Sequence, residues 1–517
     1  MVSDELNGTF HSLLFRGSND VPLETRQPSC FVDLNLDQIV SAITAGVEEH
    51  RLEEIFYTPL RDAEQIAYRQ EICRDLMKPS VHHHARALID ALAFQRDTLA
   101  HLPAHAIERQ QHLWTLEAIL TYQSAVRELS QALHEDDLES AGMRGFRTWL
   151  SDYVAGADFE EQSQHALALR ERCDAITFTM LIDGLTVTIS PYENETDYSA
   201  EVEATFARFV QDDDVKSHLT RFSSSLWLDT VEENTLECVA QLYPELFGDL
   251  QSYVQANVST YFSPVVAGVE RALQFYLRYL EHTDRIADTG LSFTLPRMST
   301  SKASGVDNVF DLALADKRVA QGAQVITNSF QLNDPERVIV ITGANQGGKT
   351  TFSRTFGQVH WLGRLGIPVA GSRADLFISD AIFTHYEKQE DIMTLHGKLE
   401  DELVRIHDIL ASATSNSIII MNEIFNSTTL DDAIVLGTAV LREIIDRDIL
   451  ALCVTFVDEL TRLSDTTVSF VALVDPAQPG ARTFIIERQQ ADGRAYALAL
   501  AEKYGLTHDR ITARIAA

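Results

Sequence analysis

The chain has 517 residues, too many for one ordinary hydrophobic core, so two to four domains are expected. Its 45% apolar and 23% charged residues exclude a disordered polyelectrolyte, and no apolar run approaches the roughly 20 residues of a membrane-spanning helix. A net charge of −34, from 42 Lys and Arg against 76 Asp and Glu, excludes nucleic-acid binding through the surface as a whole; such binding needs a local basic patch or an assembled channel, and no Lys/Arg run supplies one.

The first residues lack a basic segment followed by an apolar one, so no secretion signal is expected. Five scattered cysteines (Cys30, Cys73, Cys173, Cys238, Cys453) fit reduced thiols in a cytoplasmic protein. Residues 1–32 are polar, with Pro22 and Pro28 among them, and read as a flexible tail. From Asp33 the pattern is helical, with Leu36, Ile39, Ile43 and Val47 on one face. Tyr57–Leu60 interrupts it, and Asp62 then caps a helix reaching Met77. Residues 79–172 continue as long helices with a break near Pro103. His82, His83 and His84 point in different directions on such a helix, and a solvated run is expected rather than a metal site.

Between Ile176 and Ser190 the period changes to two around Asp183-Gly184, a hairpin signal, and the hairpin must pack on the helices about it. Helices resume after Tyr198, and one starts at Ser263-Pro264 with an apolar stripe of Val269, Leu273, Tyr276, Leu277 and Leu280. Ser299–Asn308 reads as a loop. From Val309 strands and helices alternate, with strands expected at 324–327, 338–342, 376–383, 417–421, 451–456, 467–474 and 483–487. That alternation predicts an α/β sheet domain. The final segment, 491–517, reads as helices joined near Gly505.

The chemistry concentrates in Arg337–Arg354. A β-branched run, Val338–Ile341, leads into Gly343-Ala344-Asn345-Gln346-Gly347-Gly348-Lys349-Thr350, which fits the P-loop pattern, with Thr351 beside it. Glycines let backbone N–H groups converge on phosphate oxygens, and the following helix presents its positive N-terminus to the same anion. Lys349 is expected to reach the β- and γ-phosphates of ATP, and the Thr350 hydroxyl to reach Mg²⁺. Downstream, the buried strand Ser417–Met421 ends in Asn422-Glu423. An acidic residue at such a strand end holds Mg²⁺ through water, and a neighbouring Glu orients the attacking water. Glu423 fits the second role; Asn422 stands at the metal side, where its amide oxygen can accept from a Mg²⁺-bound water but carries no charge.

These motifs resemble those of the MutS family of ABC-type ATPases. TGANQGGKTTFSR resembles its P-loop, IIIMNEIFNSTTLDDA its acidic strand end, CVTFVDEL its switch segment, and AYALALAEKYGLTHDRI its terminal helix-turn-helix. EIFYTPLRDAEQIAYRQEICRDL resembles the start of its helical core. The resemblance implies a multi-domain chain: tail 1–32, an all-α core and lever over 33–308 carrying the hairpin at 176–190, an α/β P-loop ATPase domain over 309–490, and a dimerising helical segment over 491–517. It implies an ATPase of slow turnover that uses ATP and Mg²⁺, works as a homodimer and has levers able to embrace DNA. It also places adenine against Val325 and Ile326. Several positions depart from the family. No mismatch-reading or connector domain fits before residue 33, so mismatch reading is not expected; the region Leu395–Glu400 lacks the signature serine, Phe456 stands at the switch histidine, and Asn422 replaces an aspartate. Since each such group stabilises transition-state charge, slow hydrolysis is expected. A nucleotide-operated switch with little turnover, acting on protein partners rather than DNA, is the alternative.

Overall fold

The computed structural model describes residues 10–17, 22–100, 107–184, 186–194, 230–387, 397–475 and 478–491. They fall into two compact units, Met1–Phe10 with Lys78–Leu138 and Met143–Glu270, and His11–Met77 with Glu139–Gly142 and Arg271–Ala517. The helical stretch expected over 33–308 is thus divided between both units.

In the first unit the helices Pro79–Ala100, Glu108–Glu135, Ala157–Asp174 and Pro244–Asn257 bury Leu88, Ile119, Val126, Leu169 and Leu250. His82–His84 lie on the first of these helices, where His84 Nδ1 sits 2.9 Å from Asp136 Oδ2. The hairpin pairs β1 (Phe178–Asp183) with β2 (Thr186–Pro191), joined by two residues. Its packing differs from expectation. Met180, Leu181, Ile182 and Val187 are exposed among the described residues, and the helix Thr230–Leu242 runs beside β2. Strand alternation marks two faces but does not say whether either is covered. The segment after Tyr198 lies outside the described residues until Thr230.

The second unit holds the remaining strands. They are β3 (Phe293–Thr294), β4 (Arg297–Ser299), β5 (Gly305–Val309), β6 (Asn328–Gln331), β7 (Val338–Gly343), β8 (Val369–Ala370) and β9 (Arg373–Phe377). β10 (Ile382–His385), β11 (Ile418–Asn422), β12 (Leu450–Val454), β13 (Thr467–Asp475) and β14 (Gln478–Arg488) follow. The main sheet has the order β10-β11-β12-β7-β13-β14, parallel except for β14. Its inner strands read as unbroken apolar runs because helices cover both faces of a parallel sheet. Val338, Ile339, Val340 and Ile341 are fully buried, and so is β12 throughout.

A second sheet, β4-β9-β5-β6, accounts for three differences from the sequence reading. The single strand expected at 376–383 is two strands in different sheets, β9 and β10. The loop expected at 299–308 contains most of β5. The strand expected at 324–327 lies instead at β6, leaving Val325 and Ile326 outside any strand. These strands are short, and pairing with sequence-distant partners decides them more than local propensity does.

The helix Lys349–Gly363 follows β7 and is buried along most of its length. Gln358 Nε2 donates to Leu34 O at 2.8 Å, its Oε1 accepts from Leu312 N at 2.9 Å, and Trp361 Nε1 donates to Phe56 O at 2.9 Å. The helix Ala63–Leu76 starts at Asp62, whose carboxylate accepts from the Glu64 and Gln65 N–H groups. Within the stretch read as a tail, Leu13–Phe15 are buried. Arg69 Nε donates to Leu14 O at 2.8 Å and Tyr276 OH to Leu13 O at 2.9 Å. The polar average of residues 1–32 hid this short apolar anchor.

Candidate nucleotide site

The site is assembled at the carboxyl ends of β7 and β11. Between β7 and its helix the backbone turns through positive φ three times, at Gly343 (105°), Gln346 (60°) and Gly348 (94°). At Gly343 a side chain is impossible without movement, since a Cβ would stand 2.8 Å from the Ala472 carbonyl oxygen on β13. Gly347 N donates to Ala344 O at 3.2 Å, closing the loop over the start of the helix.

Lys349 lies inside this loop. Its Nζ donates to Gly343 O at 2.9 Å, Ala344 O at 3.1 Å and, more weakly, Asn345 Oδ1 at 3.4 Å. Burial lowers its pKa, the Glu423 carboxylate opposes that shift, and Arg482 adds to it. The ammonium is therefore a desolvated cation held by neutral oxygens, ready to exchange them for an anion.

β11 delivers Asn422 and Glu423. Asn422 is 7% exposed, and its Oδ1 has no hydrogen-bond partner among the described residues. Glu423 has a φ of 59°. Its N–H donates to Val454 O on β12 at 2.8 Å, and its Oε2 accepts from Asn426 Nδ2 at 3.1 Å. An orphaned buried acceptor at a strand end, with the hydroxyl residue Thr350 at the start of the helix Lys349–Gly363, is a set of oxygens that suits Mg²⁺.

A cavity of about 390 Å³ opens beside these groups. Of the residues singled out from sequence, it brings together Gln346, Gly348, Lys349, Thr350, Thr351, Glu423, Val325 and Ile326. Gly343, Ala344, Asn345, Gly347 and Asn422 do not line it; they form the loop and strand end that frame it. The cavity has an apolar side that sequence reasoning missed, formed by Phe310, Leu314, Phe352 and Phe484. Phe484 has a φ of 59° and lies against Gly348. Asn328 fixes it from β6: Nδ2 donates to Phe484 O at 3.1 Å, and Oδ1 accepts from Ile486 N at 2.7 Å. No local pattern marks Asn328 or Phe484, because they meet the glycine loop only through sheet pairing. Phe456 is 49% exposed after β12. Leu395 and His396, and residues 492–517 of the helical segment expected over 491–517, lie outside the described residues.

A parallel α/β sheet with a glycine loop at the carboxyl end of an inner strand, and a polar strand end alongside, belongs to the class of folds that bind ligands at that edge. The comparison with known proteins makes this specific. Residues 339–513 match the family profile MutS domain V, so the second unit carries a region similar to that domain of the MutS family. The chain is similar to Endonuclease MutS2 of Thermus thermophilus, with 24% identity over 36% of this chain and 25% of that protein. The DNA mismatch repair protein MSH3 of Phaeosphaeria nodorum is 34% identical over 27% of this chain and 13% of its own length. The DNA mismatch repair protein MutS of Halalkalibacterium halodurans is 27% identical over 53% and 31%. The chain thus matches less than a third of the length of each of these relatives. No helix among the described residues is long and apolar enough to cross a membrane.

Proposed function

We propose that this protein binds and hydrolyses ATP in the cavity between Lys349 and Glu423, and that it does so as a homodimeric DNA-binding clamp. The observation that carries the reading is the Lys349 ammonium, buried within a glycine loop and held by neutral oxygens. On this reading the loop N–H groups and Lys349 take the β- and γ-phosphates, and the adenine lies toward Val325, Ile326 and Phe484. Thr350 Oγ1 and, through water, Asn422 Oδ1 would hold Mg²⁺, which offsets phosphate charge when bound. Glu423 accepts a proton from, or orients, the attacking water. The relatives' printed names are those of an endonuclease and of DNA mismatch repair proteins, and the acidic chain would need to meet DNA through a local surface or an assembled channel.

The test is steady-state ATP hydrolysis with Mg²⁺ by the wild type, Lys349→Ala and Glu423→Gln, alongside ATP binding. Glu423→Gln should keep binding and lose about 10²-fold or more of turnover. Equal turnover would remove Glu423 from the mechanism. DNA binding is tested by salt titration with intact, mismatched and branched duplexes. A steep fall in affinity with salt supports phosphate contacts, and no binding at low salt counts against the clamp.

A second reading, an ATP-operated interaction switch with little turnover acting on protein partners, is favoured by the neutral Asn422 and by the exposed Phe456. ATP binding without hydrolysis would select it.

A further inference from the structure

The turn that carries Glu423 is strained. Glu423 and Phe425 both have φ of 59°, a conformation that bulky residues rarely adopt and that persists only when surrounding contacts impose it. The contact on Glu423 comes from Val454 O, which accepts its N–H at 2.8 Å. The contact on Phe425 comes from a side chain far along the sequence: Glu402 Oε1 accepts the Phe425 N–H at 2.7 Å.

Glu402 lies on the helix Lys398–Ser412, and only 8% of it is exposed. The same Oε1 faces His385 Nε2 at 3.2 Å, at the end of β10, and His385 is 3% exposed. His385 Nδ1 has no partner among the described residues, so its ring is held from the Glu402 side alone. Facing a carboxylate oxygen, Nε2 is the ring nitrogen that donates. A buried carboxylate needs donors, and here they are an imidazole and the backbone N–H of the strained turn. The β10–β11 pairing sets His385 opposite Met421, at the end of the strand that leads into the turn.

From this geometry we infer that Glu402 is a positioning residue for Glu423. It holds the Phe425 amide, and through it the turn that aims the Glu423 carboxylate into the cavity; the inference rests on the proposed hydrolytic role of Glu423. His385 in turn fixes the carboxylate of Glu402. Neither residue touches the cavity, so their effect is on the chemical step and leaves nucleotide contacts in place.

The experiment compares the full-length wild type, Glu402→Ala and Glu402→Gln in ATP binding, steady-state kinetics and thermal unfolding. A misplacement of the order of 1 Å can lower turnover by about 10²-fold. Glu402→Ala should lower kcat at least about 10-fold, with KM and ATP affinity within about twofold of the wild type. Glu402→Gln keeps an oxygen that can accept the Phe425 N–H and should restore kcat to within about threefold. Should Glu402→Ala fail to fold, Glu402→Asp withdraws the carboxylate by one methylene and should show the same loss in kcat.

The inference is overturned if the alanine variant turns over like the wild type. It is also overturned if the glutamine variant is as defective as alanine, or if the loss falls on KM and affinity. A role in stability alone would lower the unfolding temperature with kcat unchanged, and that too overturns it. A wild type that binds no ATP defeats the proposed function itself, and the inference with it. ATP binding with no wild-type hydrolysis overturns the inference and leaves nucleotide binding standing.

Discussion

Lys349 Nζ lies 2.9 Å from the carbonyl oxygen of Gly343, the residue that opens its own loop. The cation is therefore turned back on the backbone, and a bound phosphate must be a better partner than these neutral oxygens. Hydrogen bonds to charged groups contribute about 1.5–3 kcal/mol. Lys349→Ala should accordingly weaken Mg²⁺·ATP binding by about 10- to 100-fold, measured by calorimetric titration. Unchanged affinity would show that nucleotide does not engage this loop.

Asn422 offers a test of the metal side. Its buried Oδ1 lacks a partner, and Asn422→Asp would place a charged acceptor there. The Mg²⁺ concentration for half-maximal ATP binding should fall about fivefold, as expected when a neutral acceptor becomes charged and gains roughly 1 kcal/mol. A rise in that concentration would place the metal away from the end of β11.

Two glycines should respond oppositely to alanine. Gly343 has a φ of 105°, and an added Cβ would meet the Ala472 carbonyl oxygen at 2.8 Å and its nitrogen at 2.9 Å. Gly343→Ala should destabilise by about 2 kcal/mol or more and abolish nucleotide binding. Gly268 lies within the helix Pro264–Ala287, and a Cβ there meets nothing within 4 Å. Gly268→Ala should stabilise by about 0.5–1 kcal/mol, because alanine restricts the unfolded chain and favours helix. Urea unfolding of both variants beside the wild type measures the pair.

His360, on the helix Lys349–Gly363, is fully buried, and its Nδ1 donates to Phe356 O at 2.8 Å. Burial pushes its pKa down from 6.5 to about 4. A depressed folded pKa means that the unfolded chain takes up a proton that the folded one refuses. The associated stability is complete above pH about 6.5 and is lost as pH falls toward about 4, at about 1.4 kcal/mol per pH unit from this group. Urea midpoints of the wild type should fall more steeply over that window than those of His360→Gln. Equal slopes would show that His360 titrates alike in both states.

Much of this protein was legible locally. The residues of the glycine loop, the apolar run of β7 and the polar end of β11 are each contiguous in sequence, and local sterics and burial suffice to mark them. The cap at Asp62 and the buried stripe from Leu273 to Leu280 likewise follow from helical period and capping chemistry. Other features depend on partners far along the chain. The seat of Phe484 against Gly348 requires Asn328 to bridge to β14, and the strained Phe425 amide requires Glu402 from another helix. The split of β9 from β10 and the burial of Leu13–Phe15 have the same origin. Sequence by itself determined the glycine loop after β7 and the carboxylate at the end of β11, because each is written in adjacent residues. Only the tertiary structure decided what lines the cavity and what holds the Glu423 turn, because those contacts repay the ordering of segments that meet only once the sheet is assembled.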